Sequence, residues 1–173
     1  MKLDFATIQT PVGAVVLFAR GDALIGLEFA DHPDRTQALQ ARFERYLGPI
    51  EAREVRDPAG AASRLASYFA GDRHALDHQK VELHGTEFER GVWQQLCRIP
   101  VGTTISYAEI ASRVGSPKGS RAAGQANGRN PVALFVPCHR VIAADGTLGG
   151  YGGGLDRKRH LLAHERALAP ELV

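Results

Sequence analysis

The four residues Pro137-Cys138-His139-Arg140 are the part of this 173-residue sequence best suited to chemistry. A cysteine thiol with an ordinary pKa of about 8.5 is mostly protonated at neutral pH, so a nucleophilic cysteine needs a cation or a base beside it. His139 offers the base and Arg140 the cation. Neighbouring side chains on an extended chain point to opposite faces, so contact between Cys138 and His139 requires a turn or a bridging water. The competing reading is a buried structural cysteine, the commoner state of an unpaired thiol.

Glu165 extends the set. Leu161, Leu162 and Glu165 recur at helical spacing, which lays the carboxylate beside an apolar face where it needs a partner. So placed, it can orient the imidazole of a Cys–His pair as a third member. The plainer alternative is a surface glutamate near Arg166. His160 and His164 stand four apart, a spacing able to share an ion, and Cys97 with Cys138 would complete a Cys2His2 set. No Cys-x2-Cys pair exists, however, so no metal is expected, and a Cys97–Cys138 disulfide is no better supported.

The elements that must position these residues fall into two lobes, 1–80 and 81–173. In the first, Leu3–Thr10, Gly13–Arg20 and Ala23–Ala30 alternate as strands of an antiparallel meander. Helices follow over Ala38–Leu47 and Ala61–Ala70, the second with Asp57 as N-cap and Gly71 beyond its end. The polar run Asp72–Gln79 serves as linker. In the second lobe, Thr86-Glu87-Phe88-Glu89 is a capping box opening a helix through Trp93 towards Arg98. Ser106-Tyr107-Ala108-Glu109 is another, leading into Tyr107–Val114. A turn at Gly115–Gly119 and a short helix over Ser120–Asn127 complete a helix-turn-helix pattern. Val132–Val136 reads as a strand ended by Pro137, the glycines from 146 to 154 as a mobile connector, and Leu155–Ala167 as a last helix.

Composition is that of an ordinary folded protein, 44% hydrophobic and 23% charged, which argues against disorder and low complexity. Apolar runs long enough to span a membrane are missing, and the start Met1-Lys2-Leu3-Asp4-Phe5 is not a secretory leader. With a thiol in use, a reducing, cytoplasmic setting is expected. The net charge of +2 says little by itself. Its distribution says more: no acidic side chain lies between Glu109 and Asp145, while Arg113, Lys118, Arg121, Arg129 and Arg140 all do. Such a stretch is either a footprint for a polyanion or a solvated basic face.

Pro137-Cys138-His139-Arg140-Val141, preceded by Asn130-Pro131 and followed by Gly150-Tyr151 and Leu161-Leu162-Ala163-His164-Glu165, resembles the O6-alkylguanine-DNA alkyltransferases, the methylated-DNA–protein-cysteine methyltransferase family. Ile105-Ser106-Tyr107, Pro117-Lys118, Arg121-Ala122 and Gly128 also stand at the family's spacing. The resemblance is strong over residues 86–166 and weak over 1–80. It implies an α+β fold, with a ribonuclease H-like lobe built on an N-terminal antiparallel sheet. The C-terminal lobe would be mostly helical, winged helix-turn-helix-like, and would carry the site.

The resemblance also implies a once-only transfer to Cys138 from O6-alkylguanine, and less firmly from O4-alkylthymine, because a thioether sulfur is a poor leaving group. His139 would act as base through a water, and Glu165 would hold its tautomer. Asn130 would be the hinge of the active-site turn, and Tyr107 would give the departing guanine a proton. Double-stranded alkylated DNA would be met in the minor groove with the damaged base turned out of the stack. Arg121 would enter the vacated space, with Ser106, Tyr107, Lys118, Ala122, Ala123 and Arg129 against the DNA. Pro137, Val141, Tyr151 and Gly152 would line the base pocket, Gly152 standing where several members carry a serine. No cofactor, metal or membrane is implied, and the protein would act as a monomer.

Overall fold

Three strands of alternating or continuous apolar residues build the first unit: β1 (Lys2–Ile8), β2 (Val15–Arg20) and β3 (Ala23–Phe29). They pair antiparallel, as expected. A fourth strand, β4 (Glu51–Glu54), was not legible: its Glu-Ala-Arg-Glu is exposed throughout and shows no apolar alternation. It joins the edge of β1 in parallel, so the sheet is mixed, with order β3-β2-β1-β4. The computed structural model describes residues 1–167. It divides into one unit of Met1–His84 with Pro131–Phe135, and a second of Gly85–Asn130 with the chain from Val136 onward.

Helix α1 (Pro33–Leu47) begins five residues before the periodicity suggested, with Pro33 in the first turn where its missing N–H costs nothing. It presents Leu39 and Phe43 to Leu3, Phe18 and Ile25 of the sheet. Gly26 makes that approach possible, because a Cβ there would lie 2.6 Å from Phe43 Cζ and 2.9 Å from Leu39 Cδ2. Helix α2 (Ala61–Phe69) is reached through a short 3-10 turn. Its N-cap is Gly60, left-handed at φ 73°, and not Asp57 as expected; Asp57 still reaches the first turn from before the 3-10 turn, its Oδ1 accepting from the Ala62 N–H at 2.8 Å.

The second unit starts with α3 (Glu87–Leu96), where both halves of the Thr86/Glu89 capping box are present. Then come β5 (Ile105–Ser106), α4 (Tyr107–Arg113) and α5 (Ser120–Gly128). Ser106 caps α4 by accepting from the Glu109 N–H at 3.1 Å, while the Glu109 carboxylate turns to Arg113. Small residues let α5 pack closely on α3, and the buried Trp93 Nε1–H donates to the Ala126 carbonyl at 2.8 Å. The segment expected as a strand over Val132–Val136 is not one. Only an isolated bridge links Val132 to Leu27, and Leu134 takes a φ of 72°, which strand geometry excludes. A 3-10 turn at Cys138–Arg140 leads into β6 (Val141–Ile142), which pairs parallel with β5. Helix α6 (Leu155–His164) closes the described chain, three residues shorter than expected, with Glu165 at its C-cap and Arg166 left-handed at φ 59°. Among the described residues no helix is long and apolar enough to cross a membrane.

Candidate active site

The 3-10 turn resolves the geometric difficulty of consecutive chemical residues. By tightening the backbone at Cys138–Arg140 it keeps all three side chains in the interior, where an extended segment would throw one outward. Cys138 is 6% exposed, His139 fully buried and Arg140 5% exposed. Glu165, fully buried at the end of α6, collects the other two. Its Oε1 accepts from His139 Nε2 at 3.0 Å and Arg140 Nη2 at 2.8 Å; Oε2 accepts from Arg140 Nε at 2.8 Å. A third Arg140 donor, Nη1, reaches the Ile99 carbonyl at 2.7 Å. The carboxylate is therefore a structural partner in the interior, and the surface reading of Glu165 is excluded.

Burial alone would push the Glu165 carboxyl up, but the His139 hydrogen bond and the hydrogen bonds and charge of Arg140 outweigh it and hold it below the usual carboxylate range. Burial dominates at His139 and pulls the imidazole below its ordinary value, against the opposing pull of Glu165 and with help from Arg140. The consistent state is an ionised Glu165, a charged Arg140 and a neutral imidazole. With Nε2–H directed to the carboxylate, Nδ1 is left as a bare acceptor, and it has no hydrogen-bond partner among the described residues.

Asn130 and Asn127 hold the turn from the other side. Asn130 Nδ2 donates to the Val136 carbonyl at 2.7 Å, joining the residues at which the chain leaves and re-enters this unit. Asn127 Nδ2 donates to the carbonyl of Cys138 itself at 3.4 Å. Asn127 was not singled out by the sequence; it lies in the last turn of α5, two residues beyond whose end Asn130 stands, and no side-chain pattern marked it. Tyr107, the first residue of α4, donates its hydroxyl to the Gly150 carbonyl at 3.2 Å. Partial burial, reinforced by the Cys138 charge, raises its pKa, so it remains a phenol able to donate.

Pro137 and Val141 are buried on either side of the turn, Tyr151 is half-buried and Gly152 is exposed. Lys118, Arg121, Ala122 and Arg129 are exposed, and Ser106 is half-buried. Two expectations change. Ala123 is fully buried, because it lies on the inner face of α5, so its contribution is packing rather than contact with DNA. Arg140 leaves the basic surface altogether, engaged as described. His160 is exposed at the surface of α6, and no cluster of three potential metal ligands occurs among the described residues. Cys97 and Cys138 form no disulfide with each other.

Fold and site together define a class: a sheet-based unit followed by a helical unit whose cysteine turn is backed by a buried imidazole–carboxylate pair. Residues 87–167 match the model of the 6-O-methylguanine DNA methyltransferase DNA-binding domain. A methylated-DNA–protein-cysteine methyltransferase of Mycolicibacterium paratuberculosis is 43% identical, with 97% of this chain and 95% of that protein covered. The protein of that name from Salmonella typhimurium is 41% identical over 95% and 96%. The O6-methylguanine methyltransferase of Mycobacterium tuberculosis superposes with a TM-score of 0.78 at 40% identity, covering 97% of this chain and 95% of that one. The same relative solved in complex with DNA gives 0.77 at 40% identity, over 99% and 97%. The chain belongs to the methylated-DNA–protein-cysteine methyltransferase family.

Proposed function

We propose that this protein repairs double-stranded DNA by moving an alkyl group from O6 of guanine to Sγ of Cys138, once per molecule. The observation that carries the reading is the fully buried His139, its Nε2 hydrogen-bonded to Glu165 and its Nδ1 without a partner among the described residues, in the same turn as the only buried thiol among them. The thiol proton passes to Nδ1 through one water, and the thiolate attacks the alkyl carbon. An S–C bond forms and the C–O6 bond breaks, its electron pair staying with the guanine. The Tyr107 phenol supplies the proton that guanine then takes up. A thioether has no low-energy route back to thiolate, so the protein is consumed.

O4-alkylthymine presents a similar carbon–oxygen bond and is the second substrate. Because the thiol is nearly buried, a base can reach it only after leaving the helix stack. The exposed Arg121 on α5 fills the gap from the minor groove, with Ala122 small enough for close approach. Ser106, the N-cap of α4, also meets the DNA, while Lys118 and Arg129 bind phosphates without reading sequence. Pro137, Val141, Tyr151 and Gly152 surround the everted base, and the protein acts as a monomer.

Incubation with O6-methylguanine duplex should methylate the Cys138 peptide to no more than one equivalent, read by mass spectrometry. Cys138→Ala should abolish transfer and retain DNA binding. Continued removal of the methyl group by that variant would exclude Cys138 as acceptor, and tight binding by the wild type with no labelling would make the protein a damage-binding module.

A further inference from the structure

Two buried acceptors at the Cys138 turn face no donor among the described residues: Oδ1 of Asn127 and Nδ1 of His139. Asn127 is 5% exposed, on the last turn of α5. Its Nδ2 donates to the Cys138 carbonyl at 3.4 Å, which fixes the sense of the carboxamide, since the reverse orientation would set two oxygens against each other. Oδ1 is therefore the end left to accept. His139 follows Cys138 in the same 3-10 turn, and with Nε2–H given to Glu165 and burial keeping the ring neutral, its Nδ1 carries a lone pair. Two acceptors cannot satisfy each other, and a buried polar atom left without a partner is costly. One water satisfies both. It has two hydrogens to give, and once both are given its oxygen can only accept. The S–H of Cys138, the residue that Asn127 binds and His139 follows, is the donor at hand.

We infer that Asn127 is a positioning residue for the proton relay: its Oδ1 holds one hydrogen of the relay water, which leaves the other for His139 Nδ1 and the oxygen for the Cys138 thiol. This rests on the alkyl-transfer reading and names what orients the water in it. The thiol proton passes to the water oxygen while the water's second proton passes to Nδ1. The S–H bond and one O–H bond break, and one O–H and one N–H bond form. Afterwards the imidazolium Nδ1–H donates to the water, which donates to the thiolate and still to Oδ1. The bond to Asn127 is the one that does not change, so the carboxamide is a pivot about which the other two reverse. The charged and titratable groups that act on the pair are Arg140 on the turn, Glu165 and Lys158 on α6 and the Tyr107 hydroxyl on α4. Substitution of Asn127 leaves all four in place.

The test follows two reagents on full-length protein from mildly acid to alkaline pH, each read on the Cys138 peptide by mass spectrometry. Free O6-benzylguanine reports transfer, and iodoacetamide reports the thiolate alone. Asn127→Leu keeps the side-chain size and removes the pivot. It should slow both reactions roughly tenfold near neutral pH and move the rise of each profile up by about one pH unit, the wild-type rates returning at the alkaline end. A loss by the same factor at every pH would overturn the pivot and leave Asn127 a structural residue. The wild type also decides the matter without any variant having to fold: its crystal structure should show one water about 2.7–3.2 Å from both Asn127 Oδ1 and His139 Nδ1. Separate partners for the two atoms would overturn the inference. A wild type unreactive with O6-benzylguanine at every pH, with an iodoacetamide profile that still shifts in Asn127→Leu, would instead overturn the alkyl-transfer reading and leave the pivot standing.

Discussion

Three donors converge on the two oxygens of Glu165: His139 Nε2, Arg140 Nε and Arg140 Nη2. Glu165→Gln keeps the shape but replaces one oxygen with an NH2 group, which must face a donor in either orientation. It also leaves the Arg140 guanidinium buried against a neutral amide. Breaking a buried pair by removing one partner costs about 3–5 kcal/mol, a large share of a typical folding stability of roughly 5–15 kcal/mol. With a urea slope near 2 kcal/mol per M, the midpoint should fall by about 1.5–2.5 M. Arg140→Met should cost a similar amount at pH 8 and less at pH 6, where His139 can take up a proton and pair with the carboxylate alone. The double variant should cost about 2 kcal/mol less than the two singles together. Trp93, the only tryptophan and fully buried in the same unit, reports each transition by fluorescence. Additivity within about 0.5 kcal/mol would refute a coupled buried network and leave the contacts independent.

Arg121→Ala should slow transfer from duplex O6-methylguanine roughly tenfold or more while changing the rate with free O6-benzylguanine less than about twofold. Equal losses on both substrates would remove Arg121 from the vacated base position. Gly26→Ala should destabilise the first unit by about 1–3 kcal/mol, since its Cβ would press into Phe43 and Leu39. A urea midpoint unchanged from the wild type would show that α1 shifts at little cost.

The chemistry was legible where a local pattern maps directly onto geometry. Leu161, Leu162 and Glu165 share one face because helices repeat every 3.6 residues, and that is enough to send the carboxylate inward. The same stripe continues back to the buried Lys158, so a charged residue on a buried face was visible, but its acceptors are the backbone carbonyls of Val141, Leu148 and Gly150, which carry no side-chain signature. Strands set by pairing rather than by pattern were not legible. The exposed β4 and the two-residue β5 and β6 exist because a neighbouring strand offers hydrogen bonds. Val132–Val136 shows the converse: five apolar residues with strand character, bent out of strand geometry by a left-handed Leu134.

Arg140 has a chemical consequence that a view of it as a mere cation beside the cysteine would miss. A buried carboxylate with His139 as its sole partner would favour imidazolium, and an imidazolium cannot take a proton from a thiol. Two hydrogen bonds from Arg140 neutralise Glu165 without competing for Nε2–H, so the carboxylate still fixes the tautomer but pulls less strongly on the charge state. Burial then decides in favour of the neutral ring. On the proposed reading the fraction of protein with a neutral His139 scales the rate of transfer, so the Arg140 hydrogen bonds to Glu165 keep the acceptor for the thiol proton available near neutral pH.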